Sequence, residues 1–180
     1  TTSGALAMAA GKITRASGNL TIAANSINNT GGSITTTTSG DIIINSTGTV
    51  GSFTLNTITS AGATSMGNTT APSAVTINGA VSAGGIISIY SNSDITQNAG
   101  ITSNSGASNV YFYPDVDNIG GAATFTRTSG VITANNTYFY FPASATTAFT
   151  LAGLDSSLGT TNFIDVGVAT ATSPASVSIT

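Results

Sequence analysis

The sequence predicts an all-β fold, wound as a parallel β-helix of about eight short triangular coils, and three observations carry that expectation. First, Thr, Ser, Gly and Asn number 33, 24, 21 and 16 of the 180 residues, while Glu is absent. Helix formers are therefore scarce, and turn formers and β-branched residues abundant. Second, apolar residues arrive in short bursts of period two, the mark of strands with one buried face. Third, the pattern repeats. Gly18-Asn19-Leu20-Thr21-Ile22 lies over Gly40-Asp41-Ile42-Ile43-Ile44 at an offset of 22, and Ile87-Ser88-Ile89 over Val110-Tyr111-Phe112 at an offset of 23. Offsets of that size suit one coil of a β-helix, each coil stacking on the last.

Taken in chain order, the bursts are Leu20/Ile22, Ile42/Ile44, Phe53/Leu55, Val75/Ile77, Ile87/Ile89, Val110/Phe112, Phe139/Phe141, Phe149/Leu151, Ile164/Val166/Val168 and Val177/Ile179. Of these, Ile22, Ile44, Ile77 and Ile89 are expected to point inward. Isolated β-branched residues between the bursts (Ile27, Ile34, Val50, Ile58, Val81, Ile95 and Ile101) read as very short strands, each giving one or two inward side chains. Glycine and asparagine punctuate the chain, as in Ser17-Gly18-Asn19, Ser39-Gly40-Asp41 and Ala83-Gly84-Gly85, so it can turn a corner every five to eight residues or so.

Residues 60–74 lack periodic apolar residues and contain Pro72, so they read as a loop projecting from one corner. From about Asp115 the register is harder to follow, and Tyr138-Phe139-Tyr140-Phe141-Pro142 is bulky enough for a wider or capping element. Residues 1–180 are expected to form one solenoid segment. The alternative is a β-sandwich fibre subunit, with hairpins paired antiparallel and a strand donated to a neighbour.

Charge excludes several functions. Lys12, Arg15, Arg127 and six Asp make 5 % of the chain, against roughly a quarter in a soluble domain. That leaves no basic surface for nucleic acid, since Lys12 and Arg15 form only a small patch. Cys and His are absent, which removes disulfides, thiolate metal sites and imidazole bases. Ala5–Ala10 is too short to span a bilayer. The chain reads as a mature or excised piece of an exported protein, with no membrane span and no cofactor.

Residues 17–34 and Val75-Thr76-Ile77-Asn78-Gly79-Ala80-Val81-Ser82-Ala83-Gly84-Gly85 resemble the repeats of filamentous-haemagglutinin-type adhesins. The resemblance covers residues 13–113. It implies a right-handed parallel β-helix, exported to the bacterial surface as part of an elongated adhesin or fibre. The expected partners are other copies of the chain or the rest of a longer parent, end to end, with host or surface glycans as a further class. No charged or helical cap marks either end, and 175–180 reads as one more strand.

Candidate sites are few. Asp115, Asp117 and Asn118 place oxygen ligands on nearby backbone, as a hard cation requires, although a solvated turn is the preferred reading. Tyr111, Tyr113, Tyr138 and Tyr140 would share one outer face if their strands stack, forming a platform for sugar rings, while Phe112, Phe139 and Phe141 fill the core. An aromatic ladder that only stabilises the sheet is the simpler role. Glycoside hydrolysis needs two carboxylates a fixed distance apart, and Asp41 and Asp94 would meet only from equivalent coil positions. A structural or adhesive segment without catalysis is therefore the leading expectation, and a polysaccharide-binding or polysaccharide-cleaving β-helix the lowest.

Overall fold

In the computed structural model the structure describes residues 4–104, 107–117, 123–141, 148–152, 163–168 and 176–179, the last three stretches as backbone strands only. The first coil consists of β1 (Ala5–Ala7), β2 (Gly11–Arg15) and β3 (Leu20–Ala24), and the second of β4 (Ser26–Asn28), β5 (Gly32–Thr36) and β6 (Ile42–Ser46). The third is β7 (Phe53–Leu55), β8 (Thr57–Ser60) and β9 (Thr64–Met66), and the fourth β10 (Val75–Ile77), β11 (Val81–Ala83) and β12 (Ile87–Tyr90). Then come β13 (Ile95–Gln97), β14 (Ile101–Ser103) and β15 (Val110–Tyr113), followed by β16 (Ala123–Arg127), β17 (Ile132–Thr133) and β18 (Asn136–Phe141). Strands β19 (Ala148–Ala152), β20 (Phe163–Val168) and β21 (Ser176–Ile179) continue the winding.

As far as β19, every third strand stacks on the same face, and β20 and β21 stack on β18 and β19. The three sheets run β1-β4-β7-β10-β13-β16-β19-β21, β2-β5-β8-β11-β14-β17 and β3-β6-β9-β12-β15-β18-β20. Neighbouring strands are parallel, as in Leu20 beside Ile42 and Ile87 beside Val110. These registers are the offsets of 22 and 23 read from the sequence. The fold is thus a parallel β-solenoid, and the antiparallel sandwich alternative is overturned, because hairpins cannot give that ladder.

Alternation directs the core. The first sheet sends Ile27, Phe53, Val75, Ile95 and Phe125 inward as one column. The second sends Ile34, Ile58, Val81, Ile101 and Ile132, and the third Ile22, Ile44, Met66, Ile89, Phe112 and Phe139. All are buried, and Ile77 with them. Each such side chain contributes roughly 1.5–3 kcal/mol by leaving water, and together they form one continuous apolar core through the coils.

Three expectations need correction. Residues 60–74 are not one projecting loop, because Thr64–Met66 is β9, with Thr64 and Met66 buried in line with Ile42 and Ile44. Even in the corner that follows, Ala71 and Pro72 are buried. Val50 is no inward strand residue, since it is 85 % exposed on a corner. The described strands make six complete three-strand coils, linked by five steps that are paired in all three sheets, and not eight. Later coils are longer: Val75 pairs with Ile95, 20 residues on, but Ile95 with Phe125 and Ile101 with Ile132, 30 and 31 residues on. Among the described residues no helix is long and apolar enough to cross a membrane.

Candidate functional site

The most concentrated side-chain chemistry lies outside the third sheet. There β12, β15 and β18 are neighbours, and alternation that buries Ile89, Phe112 and Phe139 turns the tyrosines outward. Tyr111 registers with Tyr138, and Tyr90 with Tyr113. The four tyrosines predicted as a platform do share one face, and Tyr90 joins them. Their rings, however, stack on one another. Tyr90 and Tyr113 have centroids 4.3 Å apart and planes within 3°, Tyr113 and Tyr140 are 5.4 Å apart at 20°, and Tyr111 and Tyr138 are 4.8 Å apart at 10°.

This geometry decides which rings are open to a ligand. Strand β15 lies between β12 and β18, so Tyr113 has a ring on each face and presents mainly its edge and hydroxyl. Stacking at such distances stabilises each pair by about 0.5–1.5 kcal/mol beyond burial. Burial raises the Tyr113 hydroxyl well above the usual range, with Tyr90, Tyr140 and Tyr111 adding to the effect, so it stays neutral at physiological pH.

Two amides repeat along the ladder. Asn109 Nδ2 donates to the Tyr111 hydroxyl at 3.0 Å and Asn136 Nδ2 to the Tyr138 hydroxyl at 3.2 Å. In each pair the asparagine precedes its tyrosine by two residues and so shares its face. The sequence reading missed this Asn-x-Tyr spacing. Beneath the sheet Phe112 stacks on Phe139 at 5.1 Å and 13°, and Phe125 packs against Phe112 at 4.6 Å and 56°. The side chain of Phe141 lies outside the described residues.

Asp115 sits at the corner after β15 in a left-handed conformation, φ 57°, which Asp tolerates better than most residues. Its side chain is 4 % exposed, and Oδ2 has no hydrogen-bond partner among the described residues. Burial pushes this carboxyl up to about 6, and the nearby Asp117 adds its charge and a side-chain hydrogen bond. Asp117 is exposed, and Asn118 lies outside the described residues. No group of three His, Cys, Asp or Glu comes together among the described residues, and two carboxylates alone supply fewer oxygens than the six to eight that calcium takes.

Asp41 and Asp94 are not brought together. Asp41 precedes β6 of the third sheet and accepts the Ala63 N–H at 2.8 Å, while Asp94 precedes β13 of the first sheet and accepts the Thr124 N–H at 2.8 Å. Each carboxylate ties one coil to the next at a different corner of the prism. Lys12 and Arg15 lie on β2, and Arg15 Nε donates to the Ser17 carbonyl at 2.8 Å.

A groove opens beside the ladder, at the corner between the third and first sheets, with a volume of about 430 Å³. Four successive coils contribute to it, through Thr49, then Asn68 and Thr69, then Tyr90 and Asn92, then Asp117. No single segment of sequence marks it. Comparison with family models, with curated proteins and with solved structures found no match in any of the three.

Proposed function

We propose that the chain is a non-catalytic structural and adhesive segment of an extracellular bacterial surface fibre, joined end to end to further copies or to the rest of a longer parent, in the manner of the filamentous-haemagglutinin-type adhesins whose repeats it resembles. The observation that carries the reading is the stacking of the coils, each paired in parallel with the next in all three sheets over five successive steps. Strands β1, β2 and β3 are the outermost of their sheets. Their inward residues Leu6, Ile13 and Leu20 pack on the core yet stay partly exposed, whereas Ile27, Ile34 and Ile42 one coil further in are buried.

A strand edge with open donors and acceptors, over an apolar cross-section, is the surface on which another coil pairs. Low charge supports the same reading, because 5 % of charged residues gives little repulsion between stacked copies. The absence of His, Cys and Glu and the separate structural roles of Asp41 and Asp94 support a role without catalysis.

Negative-stain microscopy with light scattering of the 180-residue chain tests the proposal. Elongated particles that grow with concentration are expected. A monodisperse monomer at high concentration would overturn end-to-end assembly.

A further inference from the structure

We infer that the corner groove beside the tyrosine ladder binds an uncharged oligosaccharide, with Tyr90 as the stacking ring. The inference deepens the adhesive reading, and it begins with Tyr90, at the β12 end of the ladder. Tyr113 covers one face of Tyr90. On the other side Ile89 pairs with Met66, so the next residue toward Tyr90 is Gly67, which has no side chain to lay over the ring. Glycine is required there: φ is +79°, and a Cβ would lie 2.7 Å from the Tyr90 carbonyl oxygen. Of the tyrosines at the margins of the ladder, Tyr90 is the one that lines the groove.

The groove walls fit hydroxyl-rich ligands. Thr49, Asn68 and Thr69 are exposed, and Asn92 is half-buried, its Nδ2 donating to the Ala71 carbonyl at 3.2 Å. Amides and hydroxyls both donate and accept, which matches the paired demands of sugar hydroxyls. Val116, 39 % exposed at the rim, adds apolar surface beside the ring. The walls step along the axis by one coil, about 4.8 Å, close to the length of one pyranose unit in an extended glycan. At about 430 Å³ the groove falls within the size range of small-molecule sites.

Charge chooses the class of glycan. Lys12 and Arg15 lie on the first coil and Arg127 Nε is engaged with the Gly130 carbonyl, so no cation lines the groove, while Asp117 does. Sulfated and uronic-acid chains are disfavoured there, and neutral hexoses are not.

Calorimetric titration of the 180-residue chain with cellohexaose, laminarihexaose and chitohexaose, and with a heparin hexasaccharide as the anionic comparison, tests the inference. At least one neutral hexasaccharide is expected to bind, about tenfold more weakly to Tyr90→Ala and within about twofold of wild type to Tyr90→Phe. Tyr138→Ala, at the far end of the ladder, is expected to bind as wild type does, and Asn68→Ala with Thr69→Ala to bind about threefold or more weakly, with circular dichroism confirming the fold of each variant. No binding by any neutral probe, equal loss in Tyr90→Ala and Tyr138→Ala, or tighter binding of heparin would each overturn it. A chain that binds a neutral probe but stays monomeric keeps the groove and removes end-to-end assembly of copies, whereas filaments that bind no probe remove the groove alone.

Discussion

Ile44 has Ile22 on one side and Met66 on the other, and none of its side chain reaches solvent. An aspartate in its place would be a buried carboxylate without a partner, at a cost of several kcal/mol, comparable to the whole stability of a domain. Ile44→Asp is expected to lose its cooperative melting transition by circular dichroism, and a wild-type melt would show that the column admits water. Asp115 makes the opposite experiment available. Its carboxyl titrates at about 6 in the folded chain against an ordinary 3.8, so between those values the folded state holds more protons than the unfolded one. Stability should therefore fall as pH rises from about 4 to 6 and level off above, by about 1–2 kcal/mol once screening at the corner is allowed for. Asparagine tolerates the same backbone, and Asp115→Asn is expected to remove that fall in urea midpoint, whereas a fall that persists in the variant would mean that another group carries it. Alternation made the inward isoleucines legible in the sequence. Val50 and Thr64 were not legible, because an isolated valine carries no period and a buried threonine looks like a corner residue.

The corners behave as elements in their own right, since a strand of three to five residues has little else to define its ends. Gly40 has φ +103°, and a Cβ there would lie 2.1 Å from the Gly18 carbonyl oxygen of the coil before it; Gly11 has nearly the same φ, +104°, with nothing within 4 Å. Gly40→Ala is therefore expected to cost about 2 kcal/mol or more, and Gly11→Ala clearly less, because only the first adds a backbone clash to the strained conformation. Urea midpoints of the two variants check this, and equal losses would mean that the close packing of successive corners contributes nothing. Strands with two apolar residues in alternation were readable one by one. Strand β9 was hidden, since its inward pair is Thr64 and Met66, and the tyrosine face was readable while its ring stacking was not. Alternation says which side a ring takes, but only the parallel register sets ring upon ring. The groove was illegible for a related reason, as its walls come from four corners far apart in the sequence.

At the scale of the whole molecule, the coil repeat of 22 and 23 residues was plain wherever corners are short. The count of coils was not, because the spacing between paired strands grows to 30 and 31 residues from β13 to β16 and from β14 to β17 while the parallel register is kept. Ile13 belongs to the open coil, half-buried and paired only with Ile34 of the next. Ile13→Glu should leave the fold intact, because the site is not closed, yet should suppress growth in light scattering by setting charge on the stacking surface. Unchanged growth would place the contact elsewhere. Because each described pairing joins consecutive coils, with the strands across the long axis and their hydrogen bonds along it, tension between the two termini loads the ladders one after another instead of all together. A coil of 22 residues, as between Leu20 and Ile42, would pay out roughly 70 Å of chain as it peels away. The molecule under load is a tether that lengthens coil by coil, absorbing a sudden pull before any attachment at its ends has to bear the full force.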